Sequence, residues 1–270
     1  MKNFRGKRAL ITGGARGIGY AIADSLAREG VEIVLTDLNE DGLAQAKEKL
    51  DRITRCHSYV LDVTRTERMG EVRELVRGEV GAINILVNNA GVVYGGPFLE
   101  VPLEKHLLTY KVNIEAVVAM THHFLPDLIA SSEAHLVNLA SASGLVPLPK
   151  GSTYASSKWA CIGFTESIRV ELQRQGATHV GVTHVSPSYV STGMFEGVKA
   201  PRLVPWITPE RVAREVINAI RNNKPAVMEP FMVKLVPAMM GALPTFLTDR
   251  VSDVLGVSTS MESWRGHGAS

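Results

Sequence analysis

Tyr154 and Lys158 stand four residues apart, and Ser141 stands thirteen residues before the tyrosine. On a helix, side chains at the four-residue spacing share a face. A phenol beside an ammonium is suited to moving a proton on and off an oxygen atom. A free phenol titrates near ~10, and bringing it to about 7 takes roughly 4 kcal/mol of preference for the phenolate. The Lys158 ammonium, with a second positive charge close by, supplies a term of that size in a dry site. The Ser141 hydroxyl would then direct the substrate oxygen and stabilise charge on it. Such a set fits a reaction in which a proton moves on oxygen while a hydride moves on carbon, the interconversion of an alcohol and a carbonyl. Ser143 can assist Ser141 or bond only to its own turn backbone.

A hydride needs a carrier, and the sequence offers a place for one. Behind the first apolar run comes Thr12-Gly13-Gly14-Ala15-Arg16-Gly17-Ile18-Gly19, with a helical pattern directly after it. Glycines between a strand and a helix permit a tight turn and let backbone N–H groups approach a pyrophosphate at the positive helix end. The second apolar run ends at Asp37, eighteen residues past Gly19. A carboxylate there accepts hydrogen bonds from an adenosine ribose and repels a 2′-phosphate, which favours NAD. Arg16 in the glycine loop could neutralise such a phosphate, so NADP stays open. Asp37 can also be read as a polar strand end or a helix N-cap.

The elements that must position these residues alternate. Arg8–Thr12, Glu32–Thr36, His57–Leu61, Ile83–Asn88, His135–Leu139 and Val180–Val185 read as buried strands separated by helical patterns, the signature of an α/β chain with a parallel sheet. Ile18, Ala21, Ile22, Ser25, Leu26 and Glu29 fall at helical spacing, and Gly30 is a helix stop. No repeat or linker divides residues 1–270, so a single domain is expected. A looser stretch over about 190–208 reads as a loop over the site, followed by a helix start at Thr208-Pro209-Glu210. An apolar extension occupies about 224–270, and its polar end from Glu262 to Ser270 reads as frayed.

Taken together, Thr12-Gly13 to Gly17-x-Gly19, Asn88-Asn89-Ala90-Gly91, Asn113, Ser141 and Tyr154-Ala155-Ser156-Ser157-Lys158 resemble, in order and spacing, the short-chain dehydrogenase/reductase family. The resemblance covers about residues 6–192. It implies a single-domain Rossmann fold, a doubly wound parallel sheet flanked by helices. It further implies that Asp62 and Val63 lie near the adenine and that Asn89, Ala90 and Gly91 lie along the centre of the cofactor. Asn113, Ser141, Tyr154 and Lys158 would form a catalytic tetrad, with Asn113 linking Lys158 to solvent through a water. After the sixth strand, Pro187-Ser188-Tyr189-Val190-Ser191-Thr192 carries Ser188 where the family has glycine, and leaves Pro187, Val190 and Thr192 to the nicotinamide. A homodimer or homotetramer is also implied.

The bulk properties narrow the alternatives. With 29 basic and 27 acidic residues, the net charge of +2 is scattered, which gives no footprint for nucleic acid. Two cysteines, Cys56 and Cys161, make neither a disulfide framework nor a zinc spacing, and with no secretory pattern at the start a cytoplasmic protein is expected. His122 and His123 are adjacent and no H-E-x-x-H occurs, so no metal is expected. No G-x-S-x-G elbow occurs either, which disfavours a hydrolase.

Met194, Phe195, Val198, Leu203, Val204 and Trp206 suggest an apolar pocket for a steroid, retinoid or acyl alcohol or ketone. Phe231, Met232, Leu235, Val236, Met239, Met240, Leu243 and Phe246 extend that pattern. The same residues could pack a core or a subunit interface, and the 226–247 segment with Lys234 and Arg250 could lie on a membrane surface. Reduction of a small polar ketone or a 3-oxoacyl substrate is an alternative activity. So is a non-catalytic NAD-binding regulatory role, although such a role has no need of Ser141, Tyr154 and Lys158 together.

Overall fold

The computed structural model describes residues 1–266. Its seven strands are β1 (Arg8–Thr12), β2 (Glu32–Asp37), β3 (Cys56–Val60), β4 (Ile85–Asn88), β5 (Ala134–Leu139), β6 (Val180–Pro187) and β7 (Ala226–Glu229). They form one sheet in the order β3-β2-β1-β4-β5-β6-β7, every neighbouring pair parallel. The order runs outward in both directions from β1 and β4, so the chain crosses over between them. At such a switch point the loops beyond the strand ends diverge and leave a crevice.

Helices cover both faces, as a sheet apolar on both sides requires. The helices are α1 (Gly17–Arg28), α2 (Glu40–Asp51), α3 (Arg68–Glu79), α4 (Leu103–Tyr110), α5 (Ala116–Ala130), α6 (Ser152–Arg174), α7 (Pro209–Asn222), α8 (Val236–Ala242) and α9 (Thr245–Leu255). The two-residue period of each strand sorts its side chains between two cores. Ile11, Ile33, Leu35, Val87 and Val137 pack with α1, α2 and α7, while Leu10, Val34, Leu86 and Leu136 pack with α3 and α5. Alternate residues of one strand thus serve opposite layers.

Six strands lie where the sequence places them, with shifts at the ends. β3 starts one residue early at Cys56, β4 starts two late at Ile85, β2 and β6 run on to Asp37 and Pro187, and β5 begins at Ala134. α7 starts at Pro209, and the Thr208 hydroxyl accepts from the Arg211 N–H as an N-cap does. Gly30 follows the end of α1 with φ +85° and donates to the Ala27 carbonyl.

Two expectations need correction. The apolar extension hides β7, only four residues long between Pro225 and Pro230, which completes the sheet beside β6. The polar end is not frayed as far as it is described. Ser260–Ser263 forms a 3-10 turn, Trp264 Nε1 donates to the Met194 carbonyl, and Arg265 N donates to the Glu196 carbonyl. His267 to Ser270 lie outside the described residues. Among those described, no helix is long and apolar enough to cross a membrane.

Candidate active site

A cleft of about 910 Å³ opens at the carboxyl ends of the strands, at the β1/β4 switch point. The glycine turn forms its floor. Asn89, just past β4, donates from Nδ2 to the carbonyls of Thr12 and Gly13, each at 2.9 Å, and the Thr12 hydroxyl accepts from the N–H groups of Asn89 and Ala90. A Cβ on Gly19 would lie 2.2 Å from the Gly13 carbonyl oxygen, so only glycine lets α1 sit this close to the turn. Gly13 itself has φ +64°, a left-handed conformation that glycine adopts without steric cost.

The start of α1 suits an anion. Arg16 occupies its N-cap without a side-chain cap, and the first turn holds no acidic residue. Arg16, Gly17 and Ile18 line the cleft, so this positive helix end faces its interior. The cleft volume and the uncapped helix end fit a dinucleotide, the group this fold implies. On the far side, Asp37 closes the end of β2. Its Oδ2 accepts from Ala15 N and its Oδ1 from Asn39 N, both at 3.1 Å, so the carboxylate is held beside the glycine turn. Asp62 and Val63 line the same end, with Asp62 Oδ1 accepting from the Thr64 N–H and hydroxyl.

The other end of the cleft holds Ser141, Tyr154 and Lys158, the residues whose types suit proton transfer. Tyr154 and Lys158 project from the first turns of α6, and Ser141 caps the 3-10 turn Ala142–Gly144 that follows β5. Lys158 Nζ donates to the Leu139 carbonyl at 2.8 Å and lies 5.8 Å from the centre of the Tyr154 ring. Ser141 Oγ accepts from Ser143 N at 3.2 Å, while the Ser143 hydroxyl is buried without a partner. Ser143 therefore shapes the turn through its backbone and does not line the cleft.

The charges differ from the sequence expectation. Burial pushes the Tyr154 phenol up to about 12, with the Ser141 hydroxyl acting against it, and burial lowers Lys158. Desolvation disfavours the charged form of each group, and the lysine does not offset it for the tyrosine.

Asn113 is placed by an irregularity the sequence does not announce. Residues Lys111–Glu115 form a π-turn between α4 and α5, of the kind often found at functional sites. Asn113 is fully buried there. Its Nδ2 donates to the Val92 carbonyl and to Ser157 Oγ, and its Oδ1 accepts from Val92 N. It does not line the cleft itself. A Cβ on Gly91 would sit 3.4 Å from Asn113 Oδ1 and 3.5 Å from Lys158 Nζ, so glycine at 91 leaves the gap between those two atoms open.

All the sequence-selected positions except Asn113 and Gly19 line this one cleft: Gly13, Arg16, Gly17, Ile18, Asp37, Asp62, Val63, Asn89, Ala90, Gly91, Ser141, Tyr154, Lys158, Pro187, Val190 and Thr192. Tyr94, Val92 and Ser188 also line it and were not selected. Ser188 had a signal, since it departs from glycine at a motif position; Tyr94 had none. The apolar pocket divides. Met194 and Phe195 line the cleft and Val198 packs behind them, whereas Leu203, Phe231 and Phe246 lie on the surface. No residue from 231 to 246 lines the cleft.

Comparison with known proteins agrees with this geometry. The short chain dehydrogenase family model matches residues 7–202. Epidermal retinol dehydrogenase 2 of Mus musculus is 34% identical over 269 residues, covering 98% of this chain and 87% of that protein. Estradiol 17-beta-dehydrogenase 11 of Rattus norvegicus is 31% identical over 255 residues, covering 94% and 84%. Among solved structures, a short chain dehydrogenase/reductase from Burkholderia phymatum in complex with NAD superposes with a TM-score of 0.82. It is 25% identical, with 91% of this chain and 98% of that chain covered.

Proposed function

This chain belongs to the short-chain dehydrogenase/reductase family, and from that premise we propose that it interconverts a lipophilic alcohol and its carbonyl, with Tyr154 as the acid/base. The observation that carries the reading is the convergence of Tyr154, Lys158 and Ser141 at the end of the cleft where Met194 and Phe195 supply apolar surface. The retinol and estradiol dehydrogenases among its relatives support a substrate of retinoid or steroid type.

The residues divide the work. Gly13, Gly17, Ile18 and Gly19 would hold the pyrophosphate of a bound dinucleotide, Asp37, Asp62 and Val63 its adenosine, and Asn89, Ala90 and Gly91 its central part. Pro187, Val190 and Thr192 would hold the nicotinamide, whose chemistry when bound would be to give or take a hydride. Tyr154 passes a proton at the substrate oxygen and Ser141 directs that oxygen. Lys158 would pass the proton on towards solvent through a water that Asn113, across the gap left by Gly91, positions. Asp37 supports NAD over NADP, since its carboxylate, held beside the glycine turn, would repel a 2′-phosphate. Exposed Arg16 beside it favours NADP. We also propose a homodimer or homotetramer in the cytoplasm, which exposed Leu103, Leu107 and Trp159 on α4 and α6 support for the assembly.

The test is turnover of retinol, steroid alcohols and their ketones with NAD and NADP, alongside Tyr154→Phe. Turnover that falls about a thousandfold or more in the variant, with cofactor affinity kept, supports the reading. Cofactor binding with no turnover across the panel overturns it in favour of a regulatory nucleotide-binding role.

A further inference from the structure

The described carboxy-terminal segment does something the catalytic groups do not require: it joins the two lips of the cleft. One lip follows β4 and carries Val92 and Tyr94, and the other follows β6 and carries Met194 and Phe195. Met261 and Trp264 are seated against the first lip at Gly95, where a Cβ would lie 2.8 Å from Trp264 Cε3 and 2.9 Å from Met261 Cε. On the second lip, Trp264 Nε1 donates to the Met194 carbonyl at 3.2 Å, Arg265 N donates to the Glu196 carbonyl at 3.0 Å, and Glu196 pairs antiparallel with Gly266. Gly197 receives the segment there, since a Cβ on it would come within 2.1 Å of the Ser263 carbonyl oxygen.

The strap is also tied to the aromatic group around the catalytic tyrosine. Ser260 Oγ accepts from the Tyr189 phenol at 2.8 Å. The Phe195 ring meets Tyr189 and Tyr154 edge to face, at 5.2 and 5.7 Å between centroids. Met261 and Trp264 pack into the same apolar cluster as Phe195 and Tyr154.

We infer that the strap Ser260–Gly266 is a specificity-determining wall, with Trp264 as the stop that limits how long an apolar group the cleft admits and Phe195 as the ring it holds beside Tyr154. The inference rests on the reading of the cleft as an alcohol–carbonyl site. Met261 and Trp264 do not line the cleft but stand behind Phe195 and Met194, so a longer apolar chain gains further surface only where these backing groups yield.

The experiment measures binding and turnover separately. A homologous series of linear methyl ketones is titrated by calorimetry into the full chain saturated with reduced cofactor, for wild type, Trp264→Ala, Trp264→Phe and Gly95→Ala. Affinity in the wild type is expected to rise with chain length and then stop rising. In Trp264→Ala the stop moves to longer ketones, each further methylene tightening binding about fourfold. Gly95→Ala displaces the indole by contact rather than truncation and moves the limit the same way, which keeps the test intact should Trp264→Ala not fold. Trp264→Phe, with a smaller ring and no donor to Met194, moves it less. The same limit in all four proteins, or no ketone binding by the wild type, overturns the inference. Tight, length-limited binding without turnover of any ketone would instead count against the alcohol–carbonyl reading and leave the wall standing.

Discussion

Asn89 donates to Thr12 twice, from its backbone N–H to Oγ1 at 3.0 Å and from Nδ2 to the carbonyl at 2.9 Å. The end of β4 is thereby bolted to the turn that begins the cofactor cleft. In Asn89→Ala the carbonyls of Thr12 and Gly13 lose their partner, which costs about 1–3 kcal/mol. Chemical denaturation should show that loss, and titration with reduced cofactor should show affinity falling at least tenfold. Thr12→Ser, which keeps the hydroxyl, should stay near wild type in both.

Tyr154 gives a pH signature. Burial raises its phenol to about 12, so ultraviolet difference titration of the protein alone should show no phenolate from this residue below about pH 11. With oxidised cofactor bound, one tyrosine should ionise at lower pH, and that step should vanish in Tyr154→Phe. An unchanged titration would mean that another group holds the catalytic proton.

Asp37 is the test of cofactor choice. In Asp37→Ala the acceptor beside Ala15 and Asn39 is gone while Arg16 remains. The ratio of NADPH to NADH affinity should rise at least tenfold, read by fluorescence titration of both. A constant ratio would remove Asp37 from the adenosine site.

Acid stability should depend on His135. It is buried, and burial lowers its pKa to about 3; its Nε2 bonds the Thr183 hydroxyl, which donates to the Lys224 carbonyl. The unfolded chain takes up this proton near ~6.5, so the neutral imidazole stabilises the fold above that pH and its contribution is lost as pH falls towards 3. The loss is at most about 5 kcal/mol, the energy of the whole pKa difference. His135→Gln should flatten that part of the stability curve measured by denaturation.

The same strand pair has no spare room. A Cβ on Gly181 would sit 2.3 Å from His135 Nδ1 and 2.5 Å from Asn223 Oδ1. Gly181→Ala should destabilise by about 1–3 kcal/mol with cofactor affinity in the surviving fold unchanged. Wild-type stability in the variant would show that His135 moves without cost.

How much of this was legible in the sequence follows from how local each signal is. Val34-Leu35-Thr36 and Leu86-Val87-Asn88 are runs whose burial on both faces is written in their own composition, and the glycine turn declares itself by its place between a strand and a helix. Tyr154 and Lys158 carry their relation in a four-residue spacing. β7 was hidden because Ala226–Glu229 is short and ends at a proline, and only its pairing with β6 makes it a strand. The inward turn of Asn113 depends on one extra residue in a helix, which no residue type announces. The strap is not legible in the sequence because Glu262 to Gly266 is polar in composition, and its partners Gly95 and Met194 are remote in the chain. Lys158 is correctly placed by spacing, yet its effect on Tyr154 is not, because burial depends on the whole fold.

The cleft takes its walls from segments as far apart as Gly13 and Glu196, so no part of the chain owns it. A ligand bound there favours the assembled chain over every partly opened form. At a free concentration a hundred times its dissociation constant it adds about 2.7 kcal/mol to the resistance against unfolding. Susceptibility to proteases should therefore follow the supply of nicotinamide nucleotide, and the lifetime of the protein in a cell would register the metabolic state that the enzyme itself draws upon.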